Sequence, residues 1–120
     1  MSRILIIDDD PQLGRSLERV LEREGYACSV ASDPANAAKL AAEFKPDAIL
    51  IELQPEHAPV LPQLRATFGR VPFVFMAGDQ NEYERLGEIV RPSDDWLAKP
   101  AAPQEFVVRL RTALRRAEAE

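Results

Sequence analysis

Short apolar runs alternate with stretches of helical periodicity along the whole chain. The first run, Ile4-Leu5-Ile6-Ile7 after Arg3, ends abruptly in Asp8-Asp9-Asp10 and then Pro11. A brief apolar run bounded by turn signals predicts a strand buried on both faces of a parallel sheet. Over residues 11–24, Leu13, Leu17, Val20 and Leu21 recur at helical spacing, while Arg15, Glu18, Arg19, Glu22 and Arg23 fall opposite. That pattern predicts an amphipathic helix, which Gly25 stops as a left-handed cap. Residues 26–31 predict a second strand. Ser32-Asp33-Pro34 then repeats the cap-and-proline signal, and a helix follows through Ala37, Ala38, Leu40, Ala41 and Phe44 until Lys45-Pro46-Asp47 breaks it.

Ala48-Ile49-Leu50-Ile51 predicts a central strand ending at Glu52. A proline-rich passage over residues 55–62 precedes a helix of about two turns carrying Leu61, Leu64 and Phe68. Residues 71–76 predict a fourth strand, and residues 81–90 a weaker fourth helix with Tyr83, Leu86, Ile89 and Val90. Asp95-Trp96-Leu97-Ala98 is a short fifth strand closed by Lys99-Pro100, and residues 104–116 form a last helix with Phe106, Val107, Leu110 and Leu114 on one face. Five strands alternating with five helices imply right-handed crossovers and one parallel sheet covered on both faces, an α/β three-layer sandwich. In such a sheet Asp8, Asp9, Glu52, Ala77 and Lys99 all gather along the carboxyl edge.

Composition narrows the picture. A chain of 120 residues, 46% hydrophobic and 29% charged, is expected to be one globular domain spanning residues 1–120. A net charge of −5 gives no electrostatic reason for this domain to bind nucleic acid directly. The basic run Arg109, Arg111, Arg115 and Arg116 is read as a solvated helix face interleaved with acids. Cys28 is alone, so no internal disulfide forms, and it is expected to serve as a small buried hydrophobe. With no signal peptide and no apolar run near ~18 residues, the chain reads as cytoplasmic and free of membrane spans. His57, the sole histidine, is read as a solvated loop residue, and the terminal Ala117-Glu118-Ala119-Glu120 as the start of a linker to an output domain.

The candidate chemistry lies in the acids. Asp10 suits the N-cap of the first helix and Pro11 its first position. Asp8 and Asp9 then remain at the strand end, where hard-cation binding is the chemistry that two further carboxylates offer. The bland alternative is that they are only capping and solubilising acids.

The segments Ile4 to Pro11, Lys45-Pro46-Asp47-Ala48-Ile49-Leu50-Ile51, Val71-Pro72 and Trp96-Leu97-Ala98-Lys99-Pro100, in that order, resemble the receiver domain of bacterial response regulators over nearly the whole chain. The resemblance implies a flavodoxin-like (βα)5 fold and a signalling module of two-component or phosphorelay systems rather than an enzyme. In that family an acidic pair holds Mg²⁺, and an aspartate ending the third strand takes a phosphoryl group from a histidine kinase. A Thr or Ser after the fourth strand and a Lys after the fifth contact the phosphoryl oxygens. Carried over, Asp8 and Asp9 are the acidic pair, Lys99 the lysine, Pro100 a candidate cis-proline and Trp96 the switch aromatic. Partners implied are an output domain or separate protein on the face formed by the fourth helix, fifth strand and fifth helix, a histidine kinase, and a second copy in a homodimer.

Two positions depart from the family pattern. Glu52 holds the phosphoacceptor position and Ala77, followed by Gly78, the hydroxyl position. Pro55 also comes one residue early, and the glycine that opens the third helix is absent. A glutamate carboxylate lies roughly 1.5 Å from where aspartate would place it, and a displacement of about 1 Å can cost ~100-fold in rate. A missing charge-assisted hydrogen bond at Ala77 is worth ~1.5–3 kcal/mol. The expectation is an atypical receiver with at most a weak Mg²⁺ site at Asp8, Asp9 and Glu52, acting without phosphorylation. The alternatives are phosphorylation on Glu52 itself, or Glu52 paired with Lys99 as a constitutive phosphomimic. Asp47 precedes the third strand and is a poor acceptor. A flavodoxin-type cofactor is excluded, because the first loop carries acids where a phosphate loop needs glycine and hydroxyl groups.

Overall fold

The computed structural model describes residues 2–119, with the side chains of residues 34, 41, 42, 55–57 and 88 outside the description. The reading of His57 as a solvated residue therefore falls on a side chain outside the described ones. Five strands, β1 (Arg3–Ile7), β2 (Ala27–Ala31), β3 (Ala48–Glu52), β4 (Phe73–Ala77) and β5 (Asp95–Ala98), form one sheet in the order β2-β1-β3-β4-β5. Every neighbouring pair is parallel. The helices are α1 (Pro11–Arg23), α2 (Pro34–Phe44), α3 (Leu61–Phe68), α4 (Gln80–Glu84) and α5 (Pro103–Ala119).

The alternation of side chains along each strand divides the core in two. Ile4, Ile6, Leu50, Val74, Met76 and Leu97 face α1 and α5, where Leu17, Leu21, Phe106, Val107 and Leu110 meet them. Leu5, Ile7, Ile49, Ile51, Phe73 and Phe75 face the other way, toward Ala37 of α2 and Leu61, Leu64 and Phe68 of α3. The central strands are apolar over residues 4–7, 48–51 and 73–77 because both of their faces are covered. Edge strand β2 is only half-buried for most of its length, and Cys28 on it packs against the first core layer, its thiol pushed up to about 12 by burial.

Local signals act as expected at both ends of α1. The Asp10 carboxylate accepts the N–H groups of Gln12 and Leu13, at 3.0 and 3.5 Å. Gly25, at φ +94°, gives its N–H to Glu22 while Tyr26 gives its own to Leu21, the paired bonds that close a helix C-terminus. Elsewhere the helices differ from expectation. The proline-rich segment Pro55–Val60 is a 3-10 helix, a form that serves as a connector where prolines remove α-helical donors. The helix expected over residues 81–90 is only the five-residue α4, followed by a 3-10 turn at Gly87–Ile89. Gly87 turns to φ +55°, and α4 buries none of its residues, so little packing sustains a longer helix.

A buried ion pair anchors that region. Arg65 of α3 and Asp94, just before β5, are each 5% exposed and bonded to one another. Arg65 also donates to the carbonyls of Ile89 and Val71, both at 3.0 Å, with its guanidinium 4.0 Å above the Phe73 ring. Asp94 accepts the N–H groups of Phe73 and Arg91, at 2.8 and 2.9 Å. Burial pulls the guanidinium's pKa down and the carboxyl's up, and the pairing opposes both shifts. Asp94→Ala would leave the guanidinium buried without its counter-ion, with an expected loss of about 3–5 kcal/mol. Urea denaturation at pH 7 measures it; a loss below about 1 kcal/mol would mean that the pair behaves as a solvated surface bridge.

Candidate functional site

The parallel register brings the site together. Ile7 lies opposite Ile51, so the next residues along, Asp8 and Glu52, are neighbours across β1 and β3. The ladder continues past the strand ends, with Asp8 donating its N–H to Ala31, Leu53 to Met76 and Lys99 to Ala77, at 3.0, 2.8 and 2.8 Å. Those bonds fix Asp8, Glu52, Ala77 and Lys99 along one edge, as the sequence predicts. The strand order reverses between β1 and β3, the place where open α/β sheets hold ligands. Asp47 is at the far edge, where its carboxylate accepts the Arg3 N–H at 2.8 Å.

Carboxylate oxygens of Asp8, Asp9 and Glu52 all lie within 4.8 Å of one another. Asp8 is 3% exposed; its Oδ1 accepts the Asp10 N–H at 2.8 Å, while its buried Oδ2 has no partner among the described residues. Desolvation, then the charges of Glu52, Asp9 and Asp10, push the Asp8 carboxyl up from 3.8 to about 6, although the Asp10 N–H opposes this. An orphaned carboxylate oxygen facing two further carboxylates is an all-oxygen donor set of the kind that suits a hard divalent cation.

The Glu52 carboxylate is engaged on both sides. The Lys99 ammonium stands 3.7 Å from Oε2, reaching also toward the Leu53 carbonyl at 3.4 Å, and the Lys99–Pro100 peptide is cis. The Gln54 amide donates to Glu52 Oε1 and, at 3.5 Å, to Asp9 Oδ1. Ala77 is fully buried and presents a methyl group. Beyond it the Gly78 N–H donates to Glu82 Oε2 at 2.8 Å, and a Cβ at Gly78 would stand 2.8 Å from that same oxygen. Asp79 caps α4 by accepting the Glu82 N–H at 2.8 Å. Gln54 and Glu82 escape the sequence analysis, although each left a signal. Gln54 sits two residues past Glu52, on the same side of an extended chain, and Asp79-Gln80-Asn81-Glu82 is a capping-box pattern.

Trp96 is half-buried and stacks on Tyr83 of α4, with ring centroids 5.4 Å apart and planes 16° apart. Arg109 and Arg111 of α5 pair with Asp95 and Glu24, at 3.4 and 2.8 Å, as residues of a solvated face do. No helix among the described residues is long and apolar enough to cross a membrane.

The raised pKa of Asp8 makes a pH prediction. The folded state holds this proton more tightly than the unfolded chain does, so the group favours folding below about pH 4 and loses that contribution as pH rises toward 6. The loss amounts to roughly 3 kcal/mol. Asp8→Asn keeps an acceptor for the Asp10 N–H and removes the charge. In EDTA at pH 8 it should therefore be more stable than the parent, and at pH 4 nearly equal, by urea denaturation. Equal or lower stability at pH 8 would show that Asp8 carries no such strain.

Comparison with known proteins agrees with this arrangement. Residues 4–111 match the response regulator receiver domain family. The response regulator MprA of Mycobacterium sp. (strain KMS) is 34% identical over 117 residues, covering 95% of this chain and 51% of that protein. MprA of Mycobacterium ulcerans (strain Agy99) is 33% identical over 121 residues, covering 98% and 52%. The chain thus spans about half the length of the curated relatives it matches. Among solved structures, the chemotaxis protein CheY4 of Vibrio cholerae shares the fold with a TM-score of 0.81 at 18% identity, covering 94% of this chain and 98% of its own. The non-phosphorylated HemR receiver domain of Leptospira biflexa does so with a TM-score of 0.79 at 24%, covering 95% and 94%. From its flavodoxin-like sheet to the acids on its carboxyl edge, the chain belongs to the response regulator receiver domains of two-component signalling.

Proposed function

We propose that this receiver controls an output domain or a partner protein through contacts rather than through phosphoryl transfer. One observation carries the reading: the donors at the carboxyl edge are already engaged by the chain's own carboxylates. Lys99 pairs with Glu52, and the Gly78 N–H with Glu82. Glu52 stands at the phosphoacceptor position, with the Gln54 amide on its other oxygen. The Ala77 methyl supplies no hydroxyl, so an incoming phosphoryl group would lack one hydrogen bond, would have to draw Lys99 from the Glu52 carboxylate and would have to displace Glu82 from the Gly78 N–H. Phosphoryl transfer relies on positioning and electrostatics, and both are compromised here.

Asp8, Asp9 and Glu52 would hold Mg²⁺ weakly, since Gln54 and Lys99 already offset part of their charge. When bound, the cation neutralises charge at the site. The Glu52–Lys99 pair also favours a second reading, in which glutamate imitates the modified aspartate and holds one conformation permanently. The surface proposed for partners is formed by α4, β5 and α5 around the Tyr83–Trp96 stack, and it would serve an attached output domain of a longer regulator.

Intact mass after incubation with Mg²⁺ and acetyl phosphate tests the proposal. The parent chain should gain no phosphoryl group, and Glu52→Asp combined with Ala77→Thr should gain one. A stoichiometric adduct on the parent would overturn the reading. Failure of the double variant to react would place a further obstacle in the loop carrying Gln54.

A further inference from the structure

We infer that the Gln54 side-chain amide occupies the place of a divalent cation between Glu52 and Asp9, and so acts as a built-in competitor that sets how weakly the site binds metal. The inference rests on Asp8, Asp9 and Glu52 being the cation ligands. Its first support is placement. Gln54 is extended, at φ −121° and ψ 134°, two residues beyond Glu52, so both side chains project to the same side of the chain. The residue before a proline is driven toward that conformation, and Pro55 follows directly. The proline that comes one residue early is thus what aims the amide into the acids.

The second support is chemistry. A side-chain amide nitrogen carries two N–H donors and cannot ligate a hard cation, which takes oxygen. Gln54 uses those donors on Glu52 Oε1 and Asp9 Oδ1, two of the three carboxylates that converge within 4.8 Å. Asp8 Oδ2, buried and without a partner among the described residues, shows that the cluster keeps an acceptor for something the amide does not reach. A metal entering beside Asp8 must take Asp9 and Glu52 from the amide. Removing the amide therefore opens the site and also raises repulsion among the acids, and both effects strengthen cation binding.

Mg²⁺ titrated calorimetrically into the parent, Gln54→Ala and Gln54→Met at pH 8 provides the test, together with melting in EDTA. Methionine keeps the length of the side chain without its donors. Both variants should bind Mg²⁺ about tenfold more tightly, the equivalent of one hydrogen bond to a charged group. Both should also melt below the parent in EDTA and regain the difference with Mg²⁺. A glutamine of purely structural use would lower the melting temperature without tightening the metal. Unchanged or weaker Mg²⁺ binding in both variants overturns the inference, weaker binding meaning that the amide oxygen assists the metal. Asp9→Asn examines the underlying site separately: loss of Mg²⁺ binding supports it, and unchanged binding overturns the assignment of the ligands along with the competitor. Neither result depends on whether the chain accepts a phosphoryl group.

Discussion

Like charge held together by a rigid register is the constraint on which this site depends. The apolar runs of β1 and β3 are buried on both faces, and a slip of one residue would exchange the side chains of the two core layers. Asp8 and Glu52 therefore cannot slide apart. Two carboxylates within 4.8 Å repel by roughly 3–4 kcal/mol at an effective dielectric near 20. Burial of Asp8 adds a desolvation cost. Lys99 reaches across from the far side of β4 and Gln54 folds back from the next loop, and together they supply the positive charge and dipole that the geometry demands. A metal would meet the same demand. The chain thus meets part of a need that a bound cation would otherwise fill, with Asp8 Oδ2 left without a partner among the described residues.

The opposite flank of the sheet is held unevenly. Arg65 and Asp94 join α3, the start of β4, the Gly87–Ile89 turn and the entry to β5 through bonds in a dry environment. Such a pair is costly to break, although apolar residues of the same shape could do as well. Directly beyond it, α4 has no buried residue and is held by its Asp79 cap, the Glu82–Gly78 bond and the Tyr83 ring. Segments with few buried contacts open at low free energy. A firm anchor thus stands beside a lightly held helix, and the Tyr83–Trp96 stack is a contact that joins α4 to β5.

The fold was legible because its signals are local. Ile4 to Ile7 followed by acids, Asp10-Pro11 at a helix start and Gly25 at its end each act through near neighbours. The carboxyl-edge residues followed from topology, since parallel strands place their ends together whatever the side chains are. The Arg65–Asp94 pair was hidden for the opposite reason: it joins residues 29 apart, and nothing in either neighbourhood marks the charge as buried. The fourth helix was overestimated because apolar spacing in Leu86, Ile89 and Val90 suggests a face, whereas Gly87 breaks the path to it. Gln54 was visible as a residue but its contacts were not, because they depend on acids that only the fold brings to it.

These details tie the Glu52 and Gln54 side chains to Lys99 at one edge of the sheet, beside the buried methyl of Ala77. The longer side chain of glutamate brings its carboxylate to 3.7 Å from Lys99 and within reach of the Gln54 amide. Shortening it by one methylene withdraws the oxygens by roughly 1.5 Å, which loosens both contacts and leaves the amide over an open acidic pair. A hydroxyl at Ala77 would enter a fully buried position and would need a hydrogen-bond partner there. Lys99 and the Gln54 amide together offset part of the charge of the three carboxylates, and Asp8 Oδ2 stays without a partner among the described residues. Electrostatics at the carboxyl edge thus couples these positions, so that a change at Glu52 alters the surroundings of both Lys99 and Gln54.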